Sequence, residues 1–292
     1  MSKCLALKVP RLFNGSCLTS GTLYRGAFLL PKSIEGWNMC IQSVGELKDY
    51  YKYGLLRTLA YSGFKLGIQT YNTNDDFRKE IYNGPSTRYL GNPQKYKACD
   101  PELFETLKVL LRQQNEPDSF LERVTKSHLF PSYTVFFKDL LSFQDIPLEY
   151  RDHHRLGWFA YSLNQLQHCD LVFLNPLYGL EIKSVNPYRE VTGPYYATLH
   201  EVKAILNRHQ SVMVYQKVAR RSVSDVIADC IERIKNAMGY RGSIHSIQFK
   251  TRGSHLFFIV PAPQHNLLIE KALIAYQASP WNTFAKVGEH SN

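Results

Sequence analysis

Asn175, Pro176 and Tyr178 stand together in the stretch Cys169 to Ser184, CDLVFLNPLYGLEIKS. They put a carboxamide, a proline and an aromatic ring in a row on one loop, polar and stacking groups that a ligand could meet. The same stretch holds a second set. Asp170 with Glu181-Ile182-Lys183 spells D…E-x-K, in which carboxylates hold a divalent metal such as Mg²⁺ and the lysine orients an attacking water. Glu181 and Lys183 share a face if Leu180 to Ser184 is a strand. Asp170 lies about five residues before the turn, so the three converge only if the flanking strands form an antiparallel hairpin. A plain corner would use Pro176 and Gly179 for geometry alone.

The element that must position these residues is a buried strand. Leu171-Val172-Phe173-Leu174 is a short apolar run that ends at Asn175-Pro176, and a run of that length before a Pro/Gly turn reads as a strand feeding a loop. Open α/β sheets place ligands beyond the carboxyl ends of their strands, which makes this loop the candidate site.

The rest of the chain supplies a sheet around it. Gly45 to Ser62 carries Leu47, Tyr51, Leu55 and Leu59 at helical spacing, with Lys48, Asp49 and Lys52 clustered near its start. Phe64 to Tyr71 is the first core strand. It runs into Asn72, Asn74, Asp75 and Asp76, polar groups suited to a ribose, a metal or water, with none of the glycines that let a backbone approach a nucleotide closely. Tyr82 to Lys97 reads as an exposed loop that interleaves Arg88, Lys95 and Lys97 with Tyr82, Tyr89 and Tyr96. Asp100-Pro101 caps and starts a helix, Ser119 to Ser127 a shorter one, and Tyr133 to Phe137 a strand. Ser142 to Arg155 reads as a polar connection, and its adjacent His153 and His154 point apart rather than toward one ion. A helix over Leu156 to Gln167 leads into the central strand.

Downstream, Asn186 to Thr198 is a long aromatic and basic loop placed to cover a substrate at Asn175. Then come a helix (199–209), a strand (211–216), a helix capped by Ser222 (222–238), two strands joined tightly through Gly253, and a last helix (265–276). The alternation implies a parallel sheet with helices on both faces, and the closing hairpin adds an antiparallel strand. Residues 1–40 read as an irregular arm or small hairpin. Residues 41–285 form one Rossmann-like α/β domain with inserted loops at 78–98 and 186–198, and 286–292 form a flexible tail.

The formal charge of +10 and the 19 tyrosines of this 292-residue chain suit a polyanion whose bases can stack, DNA or RNA. The six cysteines form no C-x-x-C pair, which argues against a zinc site and a disulfide framework. Neither a secretory leader nor a membrane span is legible, so the expected compartment is the cytoplasm.

With Asn175-Pro176-Leu177-Tyr178 following the fourth strand, the chain resembles the Rossmann-like amino-methyltransferases, and in outline is similar to the large-subunit rRNA adenine-N6 methyltransferases. Their D-P-P-Y turn falls on Asn175 to Tyr178. Their N-terminal G-N-x-x-D-x-x-K-H segment looks like Gly45 to Tyr53, with Asp49 and Lys52 in the polar places. The resemblance implies S-adenosylmethionine as cofactor, an adenine amine held by Asn175 and Pro176, and Tyr178 stacking on the base. Asp49, Lys52, Asn72, Asp75 and Asp100 become candidate cofactor contacts. The turn departs from the pattern in having Leu177 in place of a second proline. The chain also looks like a group of uncharacterised bacterial and phage proteins bearing D-x-V-F-x-D-P-D-N-G-L-E, here Asp170 to Glu181, which implies no known activity. Three readings therefore stand: a methyltransferase-like enzyme, a nucleic-acid- or protein-binding relative without catalysis, and a metal-dependent nuclease built on Asp170, Glu181 and Lys183.

Overall fold

A computed structural model describes residues 45–73, 87–113, 120–218, 221–250 and 255–291. In chain order the main elements are α1 (Leu47–Tyr61), β1 (Leu66–Thr70), α2 (Pro93–Tyr96), α3 (Pro101–Arg112), α4 (Phe120–Lys126), β2 (Val135–Phe137), α5 (Arg151–Gln165), β3 (Leu171–Asn175), β4 (Gly179–Leu180), β5 (Tyr196–Ala197), α6 (Leu199–Leu206), β6 (Ser211–Lys217), α7 (Val223–Met238), β7 (Ile244–Phe249), β8 (His255–Val260), α8 (Asn266–Ala278) and β9 (Ala285–His290). The arm at 1–40, the whole 78–86 part of the first inserted loop and the turn through Gly253 lie outside the described residues.

Seven strands form one sheet in the order β2-β1-β3-β6-β8-β7-β9. β2, β1, β3 and β6 are parallel neighbours, and β8 runs antiparallel between β6 and β7. This is the mostly parallel, Rossmann-like α/β sheet with a C-terminal antiparallel hairpin that the alternation of elements implies. β3 shows why its apolar run is uninterrupted. Leu171 and Phe173 enter the core beneath α1, α3 and α8, while Val172 and Leu174 enter the opposite core beneath α5, α6 and α7. A strand covered on both faces has no solvent side to alternate toward.

Local chemistry fixes several helix ends. Asp100 accepts the Leu103 N–H at 2.9 Å, with Pro101 as the first helical residue of α3. Thr198 and Glu201 form a reciprocal capping box at α6. Ser222 caps α7, which ends on the left-handed Gly239.

Three stretches differ from the sequence expectation. The described part of the Tyr82–Lys97 loop holds α2 and buries Tyr89 in the core against Tyr50 and Phe104 rather than exposing it. α5 begins at Arg151, not Leu156, because the polar first turn that reads as a connection buries Arg155 completely. Residues 286–290 are no tail. They pair with β7 from Ile244↔His290 to Phe249↔Ala285, and the polar alternation of AKVGEH reflects an edge strand with one face on the core.

Candidate functional site

The chain passes from β1 outward to β2 and returns on the other side of β1 as β3. The crevice outside the carboxyl ends of β1 and β3 is thus a topological switch point, where open α/β sheets take their ligands. Thr70 at the end of β1 is paired in register with Asn175 at the end of β3. Asn175 is half-buried, and its carboxamide makes no hydrogen bond to any described residue. Pro176 behind it is buried. On the β1 side, the Thr73 hydroxyl is buried without a partner among the described residues, while the Asn72 side chain donates to the Lys138 carbonyl.

The loop after Asn175 is clamped to β6. The Tyr178 carbonyl accepts the Lys217 N–H at 2.9 Å. The Gln216 carboxamide accepts the Leu180 N–H at 2.9 Å and reaches the Tyr178 carbonyl at 3.4 Å. Gly179 makes this approach possible: its φ is +124°, and a Cβ there would sit 2.3 Å from Gln216 Oε1. Tyr178 meets Tyr195 edge-on at 5.6 Å and Tyr196 at 5.5 Å between ring centroids, and the Lys217 ammonium lies 5.2 Å from its ring.

The long loop at 186–198 is held from beneath by a side chain that sequence patterning does not single out. Arg155 donates from Nε and Nη2 to Glu201 Oε1, from Nη1 to the carbonyls of Pro187 and Gly193, and from Nη2 to that of Tyr196, at 2.7 to 3.0 Å. Glu201 also accepts the Tyr71 hydroxyl at 2.7 Å, which links the loop to the end of β1. Burial works to lower the Arg155 pKa, but the Glu201 carboxylate and Tyr71 outweigh it and hold the guanidinium above its ordinary value. Burial, then Glu201, pushes the Tyr71 phenol well up, so it stays a donor. An Arg in a polar stretch, 46 residues from its carboxylate partner, gives no periodic signal. Glu201 three residues after Thr198 is the one legible trace, as a capping box.

The D…E-x-K set does not assemble. Asp170 is at the amino end of β3, where it accepts the Lys65 N–H at 2.9 Å, about 16 Å from Asn175 at the rise of a strand. β4 pairs in parallel with β5, not antiparallel with β3. Glu181 directly follows β4 and Lys183 lies in the turn beyond it, so they share no strand face. Glu181 accepts the Leu199 N–H at 3.1 Å, and Lys183 is exposed. Among the described residues no group of His, Cys, Asp or Glu could hold a metal ion. The antiparallel hairpin that would bring Asp170, Glu181 and Lys183 to one Mg²⁺ is not formed, since β3 pairs with β1 and β6 and β4 with β5.

The candidate cofactor contacts scatter. Asp49 is buried, not part of a solvated turn, and accepts the Gly45 N–H at 3.0 Å and the Lys52 ammonium at 2.7 Å. The two stand at the start of α1 within electrostatic reach of His255, whose pKa burial first, and then Lys48, Lys217 and Lys52, push down to about 4. Asp100 does not reach the crevice. Its carboxylate is taken by the α3 cap and by Arg57 at 2.7 Å, and Arg57 is eight positions, about 12 Å, along α1 from Asp49. Asp75 lies outside the described residues. Asn72 and Asn175 thus stand at the carboxyl ends of the neighbouring strands β1 and β3, with Pro176 and Tyr178 following Asn175 in the loop, while Asp100 is committed to α3 and Arg57 and Glu181 to the start of α6.

No protein-family model matches the chain, and no curated protein matches it. Among solved structures it is similar to the protein LPL1258 of Legionella pneumophila strain Philadelphia 1, of the family DUF519, at 14% identity and a TM-score of 0.38 over 85% of this chain and 98% of that one. No described helix is long and apolar enough to cross a membrane.

Proposed function

We propose that the protein is an S-adenosylmethionine-dependent methyltransferase acting on an amino group of a nucleic-acid base. The observation that carries this reading is the Asn175 carboxamide, which has no hydrogen-bond partner among the described residues. It is half-buried at the carboxyl end of β3, with the buried Pro176 next to it and Tyr178 two residues further along the same loop. An unused acceptor at a switch point is what an incoming amine requires. Strand β8 inserted antiparallel between β6 and β7 supports the reading, since that closing hairpin belongs to the methyltransferase fold the sequence resembles.

Asn175 Oδ1 and the Pro176 carbonyl accept the two amine hydrogens and turn the nitrogen lone pair outward. Tyr178, backed by Tyr195 and Tyr196, offers the ring against which an unstacked base rests. The cofactor supplies an already activated methyl group, so alignment of the amine accounts for most of the rate and a strong base is unnecessary. Thr73 and Asn72, at the end of β1, border the place where the cofactor would be held. The test is transfer of labelled methyl from S-adenosylmethionine to adenine- and cytosine-containing RNA and DNA oligonucleotides. Incorporation by the wild type that Asn175→Ala and Tyr178→Ala abolish supports the reading. No incorporation on any substrate with cofactor demonstrably bound overturns it.

A second reading is favoured by one specific feature. The segment leaving β1, Tyr71-Asn72-Thr73-Asn74-Asp75-Asp76, contains no glycine, the residue type that lets the backbone of such folds approach a nucleotide cofactor closely. A non-catalytic relative would keep the fold and the aromatic rim and bind nucleic acid without the cofactor.

A further inference from the structure

We propose that Lys217 is a phosphate anchor for the nucleic-acid strand whose base is presented to Asn175, an inference that rests on the reading above. Lys217 closes β6 at the rim of the crevice. It is half-buried, and its backbone is fixed by the N–H···O bond to Tyr178. Its ammonium rests on the face of the Tyr178 ring, 5.2 Å from the centroid, and has no carboxylate partner among the described residues.

The neighbouring charges differ in kind. Lys48 is paired with Glu46 at 3.0 Å and Lys52 with Asp49 at 2.7 Å. His255, which faces Lys217 across the β6–β8 pair, engages the Tyr215 hydroxyl at 2.8 Å through Nδ1 and is held neutral by its burial. Of these three lysines, Lys217 is the one whose charge no described carboxylate balances.

A half-buried cation whose one side-chain partner among the described residues is a ring quadrupole is under-compensated by them, and a phosphodiester oxygen compensates it more fully. The geometry also couples two events. A base that stacks on Tyr178 contests the ring face that the ammonium occupies, and the phosphate arriving with that base gives the displaced ammonium its new partner. The anchor favours an unpaired strand, because a base held within a duplex cannot reach Tyr178.

The experiment is fluorescence anisotropy with a fluorescein-labelled, adenine-containing single strand, titrated over a range of salt and compared with the same sequence as a duplex. The variants are Lys217→Gln and Lys217→Arg, with Lys271→Gln on the exposed face of α8 as control, and the melting temperature of each is recorded. The expected result is several-fold weaker single-strand binding by Lys217→Gln. The slope of log K against log salt should fall by about 0.7, the share of one phosphate on a single strand. Lys217→Arg and Lys271→Gln should bind as the wild type does.

Equal affinity and slope for wild type and Lys217→Gln overturn the proposal, as does a wild type that fails to bind the strand. Inorganic phosphate at matched ionic strength is expected to compete poorly. Competition equal to that of unlabelled strand would make this a free-anion site and overturn the strand assignment. Calorimetry with S-adenosylhomocysteine separates this outcome from the parent reading. Cofactor binding without Lys217 dependence removes the anchor alone, and Lys217-dependent strand binding without cofactor affinity removes the methyltransferase alone.

Discussion

Arg155 directs each N–H of its guanidinium at an acceptor, and Asn175, on the same side of the fold, leaves its carboxamide open. The difference separates architecture from chemistry and predicts opposite outcomes on truncation. Glu201→Gln or Arg155→Met strands one member of a pair that is almost wholly buried on both sides. Either change should lower unfolding stability by about 3–5 kcal/mol in urea titration. Arg155→Lys should not rescue it, because a point charge cannot reach carbonyls on both sides of the loop at once. A loss below about 1 kcal/mol would show that the loop is held by other contacts. Asn175→Ala removes no described hydrogen bond, so its stability should remain within about 0.5 kcal/mol of wild type while methyl transfer disappears. Parallel loss of fold and activity would mean that Asn175 is structural.

At the scale of elements, Gly179 is where the turn after β3 is made. With φ at +124° and Gln216 Oε1 2.3 Å from the place of a Cβ, Gly179→Ala should cost about 1–3 kcal/mol. It should also loosen Tyr178, read as faster amide exchange of Leu180. Unchanged exchange at Leu180 would show that the Gln216 clamp does not depend on the glycine. Which elements are legible in the sequence follows from whether their signal is local. β3 announces itself as an apolar run ending at Asn-Pro, α3 through Asp100-Pro101, and α7 through Ser222 and its buried stripe of Val226, Cys230 and Ile234. β4 and β5 escape notice because two residues apiece carry no period and their pairing spans the whole intervening loop. β9 escapes because an edge strand with one face in solvent reads as a polar tail. The start of α5 escapes because Arg155, the residue that would mark its buried side, is charged, and its burial is intelligible only beside Glu201. In the site, Asn175, Pro176 and Tyr178 are legible since they are contiguous. Tyr195 and Tyr196 are legible as part of the loop expected to cover the site, whereas Lys217, the Gln216 clamp and the packing of those two rings on Tyr178 are not, since the fold alone brings them together.

Over the whole molecule, five histidines share one electrostatic sense. Burial lowers the pKa of His154, His245, His255, His265 and His290 below the ordinary 6.5, that of His255 to about 4. The unfolded chain therefore binds more protons than the folded one in this range, so stability is complete above about pH 6.5 and is lost as pH falls toward 4. Guanidinium unfolding at stepped pH should show this decline, and His255→Gln should flatten part of it. A flat profile between pH 7 and 5 would show that these imidazoles reach water. The sheet order bears on function more directly, because it brings Thr70 and Asn175 side by side at the switch point, with Thr73 just beyond. The most direct test of whether that crevice takes the proposed cofactor is calorimetric titration of the full chain with S-adenosylhomocysteine, with Mg²⁺ and with EDTA. Micromolar binding that survives EDTA is the predicted result. Absence of binding at millimolar ligand would contradict the methyltransferase assignment and leave the nucleic-acid-binding relative in its place.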